Sequence, residues 1–394
     1  MDKVIYFDSQ DIKRFLESSR EEATGVSYEW LDENVFSIHL IEVLNHPGAR
    51  TSALFVREKL PEASSSDCRF AIVAADGGSV FENVNGSWCP RDADRIPDEV
   101  DYFSRNHGVL EHRQLKDKTV AIIGIGSGGS LVTTGIVTAG VSHIILVDNQ
   151  RLEPHNLVRH VGGLQDLGRY KTKVLKDAIL NKNPYAHVET YECDITAYPE
   201  LLRSIVKKSD IVFVAPDNNK CRLCIQEALV EFKKVGIFGR AITRAEGGDV
   251  FIYRPGGPCY CCIVGKDALK PEEITDEASA RANGTIPAYM TPEDVENVVQ
   301  VGLYSDIIPI ANMMVKQALV ILSHGTDCGL SSLEEDFVYP LYIWANRREV
   351  HFANWHTFYK AGPDKTIMRW YGVNIKKDPG CAICSENMVL DTGE

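Results

Sequence analysis

The chain is 394 residues long, 44% hydrophobic and 25% charged, an ordinary globular composition that excludes a disordered, collagen-like or low-complexity protein. That length suits two or three domains, each able to bury a core. Its 42 Lys and Arg against 55 Asp and Glu give a formal charge of −13, which speaks against nucleic-acid binding, where cations must replace condensed counterions, but leaves room for a local basic pocket for one nucleotide. The start, Met1 to Asp8, lacks the apolar core of a signal peptide, and no run reaches ~18 uninterrupted apolar residues, so no membrane span is expected. Without a secretion signal, the eleven cysteines read as reduced, metal-bound or buried, and the expected compartment is the cytoplasm.

Residues 1–100 read as a small α+β domain. Val4–Phe7 is a short strand, and Asp8 or Ser9 can cap a helix through Glu17 that places Ile12, Phe15 and Leu16 on one face. Strand-like runs follow at Ser27–Trp30, Val35–Val43, Ala53–Val56 and Arg69–Ala74, separated by turn-rich pieces such as Asp76-Gly77-Gly78. Pro90–Asp101, rich in Pro, Asp and Arg, reads as a linker.

Residues 101–394 form the second expected domain. After Lys116 strands and helices alternate, the mark of a mostly parallel, Rossmann-like α/β sheet with helices on both faces. The expected strands are Val120–Ile123, Ile144–Val147, Val188–Tyr191, Ile211–Val214, Val235–Phe238 and Val250–Tyr253. The expected helices are Ser130–Ala139, Lys171–Leu180, Pro199–Lys207 and Lys220–Phe232. Strands apolar throughout, such as Val120-Ala121-Ile122-Ile123, suit burial on both sides. Beyond a polar stretch, Gly265–Asn297, comes an apolar helix around Ile310–Leu322 that Gly325 can end, then strands at Val338–Trp344 and Val350–Phe352.

The chemistry concentrates where the first of these strands ends. Gly124-Ile125-Gly126-Ser127-Gly128-Gly129 fits G-x-G-x-x-G between a strand and a helix. Gly124, Gly126, Gly128 and Gly129 permit a tight turn and a close backbone approach to phosphate or ribose. Asp148, about 20 residues on, can accept ribose hydroxyls. Such a loop alone does not separate NAD from ATP. Asn156-Leu157-Val158-Arg159, Lys171 and Asp217-Asn218 do, because a dehydrogenase has no general need for Arg and Lys converging on an acidic group. Attack at the α-phosphorus of a nucleoside triphosphate builds negative charge that cations and Mg²⁺ stabilise. Asp217, after the fourth strand, is a hard carboxylate suited to Mg²⁺. The plainer accounts are a helix N-cap for Asp217 and a solvated helix face for Lys171.

The ordered set of Ser104-Arg105-Asn106, the glycine loop, Asp148, Asn156-Leu157-Val158-Arg159, Lys171 before Asn183-Pro184, Asp217-Asn218, Arg222 and two late Cys-x-x-Cys pairs resembles the ThiF/MoeB superfamily of adenylyltransferases, which includes ubiquitin-activating-type enzymes. The resemblance runs from Tyr102 to Cys384. It implies that Asp148 holds the ribose, that Asn156, Arg159 and Lys171 contact the phosphates, and that Asp217 binds Mg²⁺. It also implies a homodimer in which Arg105 reaches the ATP site of the other copy. Two positions depart from the pattern: Gln150 stands where the family carries a second acid, and His160 stands in place of the glutamine of its Arg-Gln pair.

Cys259/Cys262 and Cys381/Cys384 have the spacing of paired thiolates on tight turns and are expected to form a closed, structural Zn²⁺ site. Cys221/Cys224 share the spacing but fall in an expected helix, where they pack as small hydrophobes. Relatives that form a thioester carry a cysteine after the first metal pair, whereas Ile263 to Val301 contains none. Cys261 and Cys328 are the remaining candidates, and no thioester step is expected. The leading expectation is ATP-dependent adenylation of the C-terminal carboxylate of a ubiquitin-like or sulfur-carrier protein. The first domain would recognise the carrier or a downstream conjugating enzyme. Adenylation of a precursor peptide, as in microcin- and pantocin-type maturation enzymes, ranks below it, because residues 27–74 are too strand-rich for a compact winged-helix clamp. A nucleotide-binding scaffold without turnover and an NAD-dependent reductase are the other readings.

Overall fold

The computed structural model describes residues 3–30, 33–43, 46, 48–97, 99–265, 302–349, 351–355 and 365–385. The chain divides into two compact units, Met1–Arg105 and Asn106–Glu394.

The first unit is an eight-stranded mixed sheet with one full helix. Its strands are β1 (Val4–Asp8), β2 (Glu22–Trp30), β3 (Val35–His39), β4 (Ala49–Val56), β5 (Phe70–Val73), β6 (Ser79–Val84), β7 (Ser87–Arg91) and β8 (Asp94–Ile96), in the order β7-β6-β5-β4-β2-β3-β1-β8. Helix α1 (Ser9–Glu17) begins where the Asp8 carboxylate accepts the Gln10 N–H at 2.8 Å, and it buries Ile12 and Phe15 among Ile5, Phe36, Phe55 and Phe70. Burial of each such side chain contributes about 1.5–3 kcal/mol. The sheet curls enough for Lys3, just before β1, to reach Glu82 of β6 at 2.6 Å, where Arg91 also donates at 2.8 Å. The expected linker over Pro90–Asp101 is instead structured. Pro90 sits in β7, an edge strand, where a residue without an N–H costs no interior ladder bond. Strand β8 pairs in parallel with β1 at the opposite edge, and a short helix, α2 (Glu99–Tyr102), follows.

The second unit opens with the short helix α3 (His112–Leu115) and builds on β9 (Thr119–Ile123), β10 (His143–Val147), β11 (His187–Tyr191), β12 (Ile211–Val214), β13 (Val235–Ile242), β14 (Gly247–Tyr253), β15 (Leu341–Ala345) and β16 (Arg369–Val373). The order is β11-β10-β9-β12-β13-β14-β15-β16, parallel from β11 through β13 and antiparallel beyond. Alternate residues of β9 face opposite cores. Val120 and Ile122 pack under α4 (Ser127–Ala139), α5 (Lys171–Lys182) and α9 (Tyr304–Leu322), while Ala121 and Ile123 pack under α6 (Pro199–Lys208) and α7 (Asn219–Glu231). Both faces are therefore covered, as strands apolar throughout require. Helix α9 is long and apolar enough to cross a membrane by composition alone, but Ile310, Met314 and Ala318 are buried in the core on this sheet. It ends at Leu322, short of Gly325, with Ser323 bonding back to the Leu319 carbonyl at 2.7 Å. The expected strand at Val338–Trp344 starts only at Leu341, after Pro340. No strand forms at Val350–Phe352: His351 and Phe352 lie in bends, and Val350 is outside the described residues.

Candidate functional site

The strand order reverses direction between β9 and β12, and ligands of open α/β sheets bind at such a switch point, outside the carboxyl ends of the strands. The glycine loop leaves β9 there, and Asp217 follows β12 beside it. The four glycines divide into two kinds. Gly124 has φ +89°, and a Cβ on it would lie 2.5 Å from the Pro216 nitrogen; a Cβ on Gly129 would lie 1.9 Å from the Gly124 carbonyl oxygen. These two are required by the turn and by strand–helix packing. A Cβ on Gly126 or Gly128 would meet no protein atom within 4 Å. The fold itself does not need glycine there; a ligand resting on the N-terminus of α4 would.

Asp148, at the end of β10, ties this loop down. Its carboxylate accepts the Ile125 N–H at 2.6 Å and the Gln150 N–H at 2.7 Å. Burial pushes the carboxyl above its ordinary range; the charge of Lys171 and the two N–H donors pull it down, and the charge of Asp217 adds to the rise. Two carboxylates and a lysine thus share one electrostatic environment. Lys171 is the first residue of α5 and is buried, so the solvated-face account fails. Its Nζ donates to Gln150 Oε1 at 2.6 Å. A cation buried at a helix N-terminus opposes the helix dipole; its hydrogen bond here goes to a neutral amide, and the charge of Asp148 acts on it. His160 is buried on the other side of the loop, with Nε2 3.1 Å from the Ile125 carbonyl oxygen.

Asn156 closes a 3₁₀ turn, its Oδ1 accepting the Glu153 N–H at 3.1 Å, which leaves its –NH₂ as the donor side. Arg159, partly buried, comes near the tip of the β13–β14 hairpin: a Cβ on Gly302 would lie 3.0 Å from the Ala245 Cβ and 3.7 Å from Arg159 Nη1. The cap of α7 is Asn218, whose Oδ1 accepts the Cys221 N–H at 2.8 Å, so the N-cap account of Asp217 also fails and its exposed carboxylate is not spent on the helix. Arg105 lies exposed at the end of the first unit, in the 3₁₀ turn Ser104–Asn106. The second unit therefore brings together the glycine loop, Asp148, Lys171 and Asp217. Two contributors escaped the sequence reading. The hairpin tip was missed because β13 continues past its pairing with β12 through Gly239–Ile242, a stretch without apolar alternation. Tyr260 was hidden among the cysteines. Its hydroxyl donates to Asn219 Oδ1 at 2.9 Å and accepts from buried Arg222 at 3.2 Å, and its N–H reaches Gln226 at 2.9 Å, all on α7.

The late cysteines meet on that side of the sheet, Cys259 just before the short helix α8 (Tyr260–Val264) and Cys262 within it. The sulfurs of Cys259, Cys262, Cys381 and Cys384 all lie within 4.8 Å of one another, with close pairs at 3.5, 3.5 and 3.8 Å. A disulfide would need about 2.05 Å. Four sulfurs each ~2.3 Å from one tetrahedral centre stand about 3.8 Å apart, so the donor set fits Zn²⁺. Burial raises the Cys381 thiol, but hydrogen bonds from the N–H groups of Ile383 and Cys384 and with the thiols of Cys259 and Cys384 together bring it down to about 7. Cys261, beside the ligands, is buried and pushed up to about 12, and Cys221 is likewise pushed to about 12 within the core. Neither resembles an activated nucleophile. Cys328 differs: burial raises its thiol, but hydrogen bonds, first that from Thr326 Oγ1 at 3.5 Å, outweigh it and hold the thiol below its ordinary range.

The chain is similar in sequence to curated adenylyltransferases. The chain is 32% identical over 204 residues to the sulfur carrier protein adenylyltransferase of Thermus thermophilus, covering 49% of this chain and 74% of that protein. It is 29% identical over 220 residues to the adenylyltransferase and sulfurtransferase MOCS3 of Drosophila virilis, covering 52% of this chain and 47% of that one. It is 26% identical over 192 residues to ubiquitin-like modifier-activating enzyme 5 of Caenorhabditis briggsae, covering 46% and 44%. The chain thus spans about half the length of the fly and nematode proteins. Among solved structures, the microcin C7 biosynthetic enzyme MccB in complex with N-formylated MccA shares the fold at 21% identity and a TM-score of 0.51, covering 74% of this chain and 77% of that one. Residues 102–351, most of the chain and all of the crevice just described, match the ThiF family, to which this protein therefore belongs.

Proposed function

We propose that the protein is an ATP-dependent adenylyltransferase that activates the C-terminal carboxylate of a ubiquitin-like or sulfur-carrier protein. The observation that carries the reading is the convergence, at the switch point, of an open glycine cradle with Asp148, buried Lys171 and uncapped Asp217. Asp148 accepts the ribose hydroxyls. Lys171, Arg159 and Asn156 bind the phosphates and stabilise the charge that grows on them. Asp217 would hold Mg²⁺, which neutralises phosphate charge when bound. The carrier's carboxylate oxygen forms a bond to the α-phosphorus, the bond from that phosphorus to the β-phosphate oxygen breaks, and the electron pair leaves with pyrophosphate. The product is an acyl-adenylate. Arg105 from a second copy would complete the charge complement, which makes the working form a homodimer, and Zn²⁺ at Cys259, Cys262, Cys381 and Cys384 ties the C-terminal segment to α8 and α7.

The reading places the protein in the cytoplasm and gives the first unit the recognition of the carrier or a conjugating enzyme. The polar stretch Gly265–Asn297 would cover the carrier's tail; it lies outside the described residues except for Gly265. A short precursor peptide is the second substrate class, favoured by the lack of cysteine between Ile263 and Val301. The eight-stranded first unit, unlike a small winged-helix clamp, favours a folded carrier. The test is ATP–pyrophosphate exchange with a Gly-ended carrier or with a peptide as acceptor. Exchange that depends on the acceptor and falls more than about 100-fold in Asp217→Ala supports adenylation. No exchange with either acceptor would leave only a nucleotide-binding scaffold.

A further inference from the structure

One buried side chain, His160, bonds to the glycine loop. We infer that His160 is a positioning residue for the nucleotide: it fixes the Ile125–Gly126 peptide so that the first N–H groups of α4 face the crevice. This rests on the nucleotide reading above.

The imidazole is 7% exposed and both of its nitrogens are used. The Gly162 N–H donates to Nδ1 at 2.9 Å. A nitrogen that accepts carries no proton, so the proton sits on Nε2, which donates to the Ile125 carbonyl at 3.1 Å. Glycine at 162 allows this approach, because a Cβ there would stand 3.1 Å from Nδ1 and 2.7 Å from Val174. Ile125 is thereby held from two loops: its N–H by Asp148 and its carbonyl by His160. In a planar trans peptide the carbonyl and the following N–H point in opposite directions. With the Ile125 carbonyl turned to His160, the Gly126 N–H is turned away from the imidazole, and a Cβ on Gly126 would meet no protein atom. Gly126 caps α4, and the opening N–H groups of a helix have no partner within it. Glutamine offers the same donor and acceptor pair as this tautomer of the imidazole. The charged groups acting on the ring are Lys171, which opposes a second proton, and Asp166, which favours one; burial opposes it most, and a second proton would set Nδ1–H against the Gly162 N–H.

The test compares His160→Leu, which fills the space without either nitrogen, with His160→Gln, which restores both. The readouts are the ATP Kd by calorimetry and amide hydrogen exchange across residues 124–129. The leucine variant strands a buried carbonyl, so ATP should bind about tenfold more weakly and amides of the loop should exchange faster. The glutamine variant should return both to the wild-type range. Unchanged exchange in His160→Leu overturns the inference. Weak binding in His160→Gln with normal exchange also overturns it, since the imidazole would then contact the ligand itself. Wild-type protein that binds no ATP defeats the nucleotide reading separately, and amide exchange then decides the clamp by itself.

Discussion

Gly128→Ala separates a ligand cradle from a merely structural glycine turn. A Cβ at this position meets no heavy atom within 4 Å, and the backbone is helical, in the first turn of α4. Alanine should therefore stabilise the fold, by up to about 1 kcal/mol from helix propensity, which corresponds to roughly 2–4 °C in Tm for a domain of this size. The same methyl group occupies the space over the helix N-terminus where the nucleotide would rest. Overpacking of a filled site costs about 1–3 kcal/mol, and at about 1.4 kcal/mol per tenfold ATP binding should weaken by a factor of roughly 5 to 150. Gly129→Ala is the internal contrast. Its Cβ would lie 1.9 Å from the Gly124 carbonyl oxygen, so it should lower Tm before any ligand is added. Differential scanning calorimetry with titration of ATP reads both quantities. A Gly128→Ala protein that binds ATP like wild type, or that is strongly destabilised, would refute the reasoning.

Two further outcomes follow from the buried groups. Purified protein should contain one zinc per chain by elemental analysis, and Cys384→Ser should lose the metal and lower Tm, while a metal-free wild type of unchanged stability would show the four thiols to be incidental. Stability should also fall as pH drops from about 6.5 to about 4. Burial holds His160 at about 4, below its ordinary 6.5, so between those values the unfolded chain binds the extra proton and stability rises with pH; the full effect is about 3 kcal/mol, complete above 6.5 and lost near 4. Asp148 works in the opposite sense, its carboxyl being raised in the fold, so the clean measurement is wild type against His160→Gln in urea titrations across this range. Parallel curves for the two proteins would contradict the assignment.

The parallel half of the second unit was legible because strands buried on both faces must be apolar, and β9 from Val120, β10 from Ile144 and the whole of β12 are. The candidate site was legible for a related reason: ligands of open α/β sheets bind outside the carboxyl ends of the strands, and Asp148 directly follows β10 while Asp217 comes three residues after β12. What the sequence hid depends on long-range pairing. Strand β8 is held by β1, more than eighty residues earlier, and nothing local in Asp94-Arg95-Ile96 announces it. Strand β16 is an edge strand, Arg369-Trp370-Tyr371-Gly372-Val373, whose partly exposed residues carry no buried-face pattern. The choice of Asn218 over Asp217 as the cap of α7 is a matter of backbone phase, since either residue is a good cap in composition. His160 and Gln150 were visible as departures from the family pattern. Their hydrogen-bonding roles needed coordinates, because each partner, Ile125 for His160 and Lys171 for Gln150, lies more than twenty residues away in sequence.

The most direct measurement is a crystal structure of the protein with Mg²⁺ and a non-hydrolysable ATP analogue. The account predicts ribose hydroxyls on Asp148, phosphates over Gly126 and Gly128 within reach of Arg159 and Lys171, and the metal on Asp217. An analogue bound with its phosphates away from these side chains, or a nicotinamide cofactor accepted in its place, would contradict it.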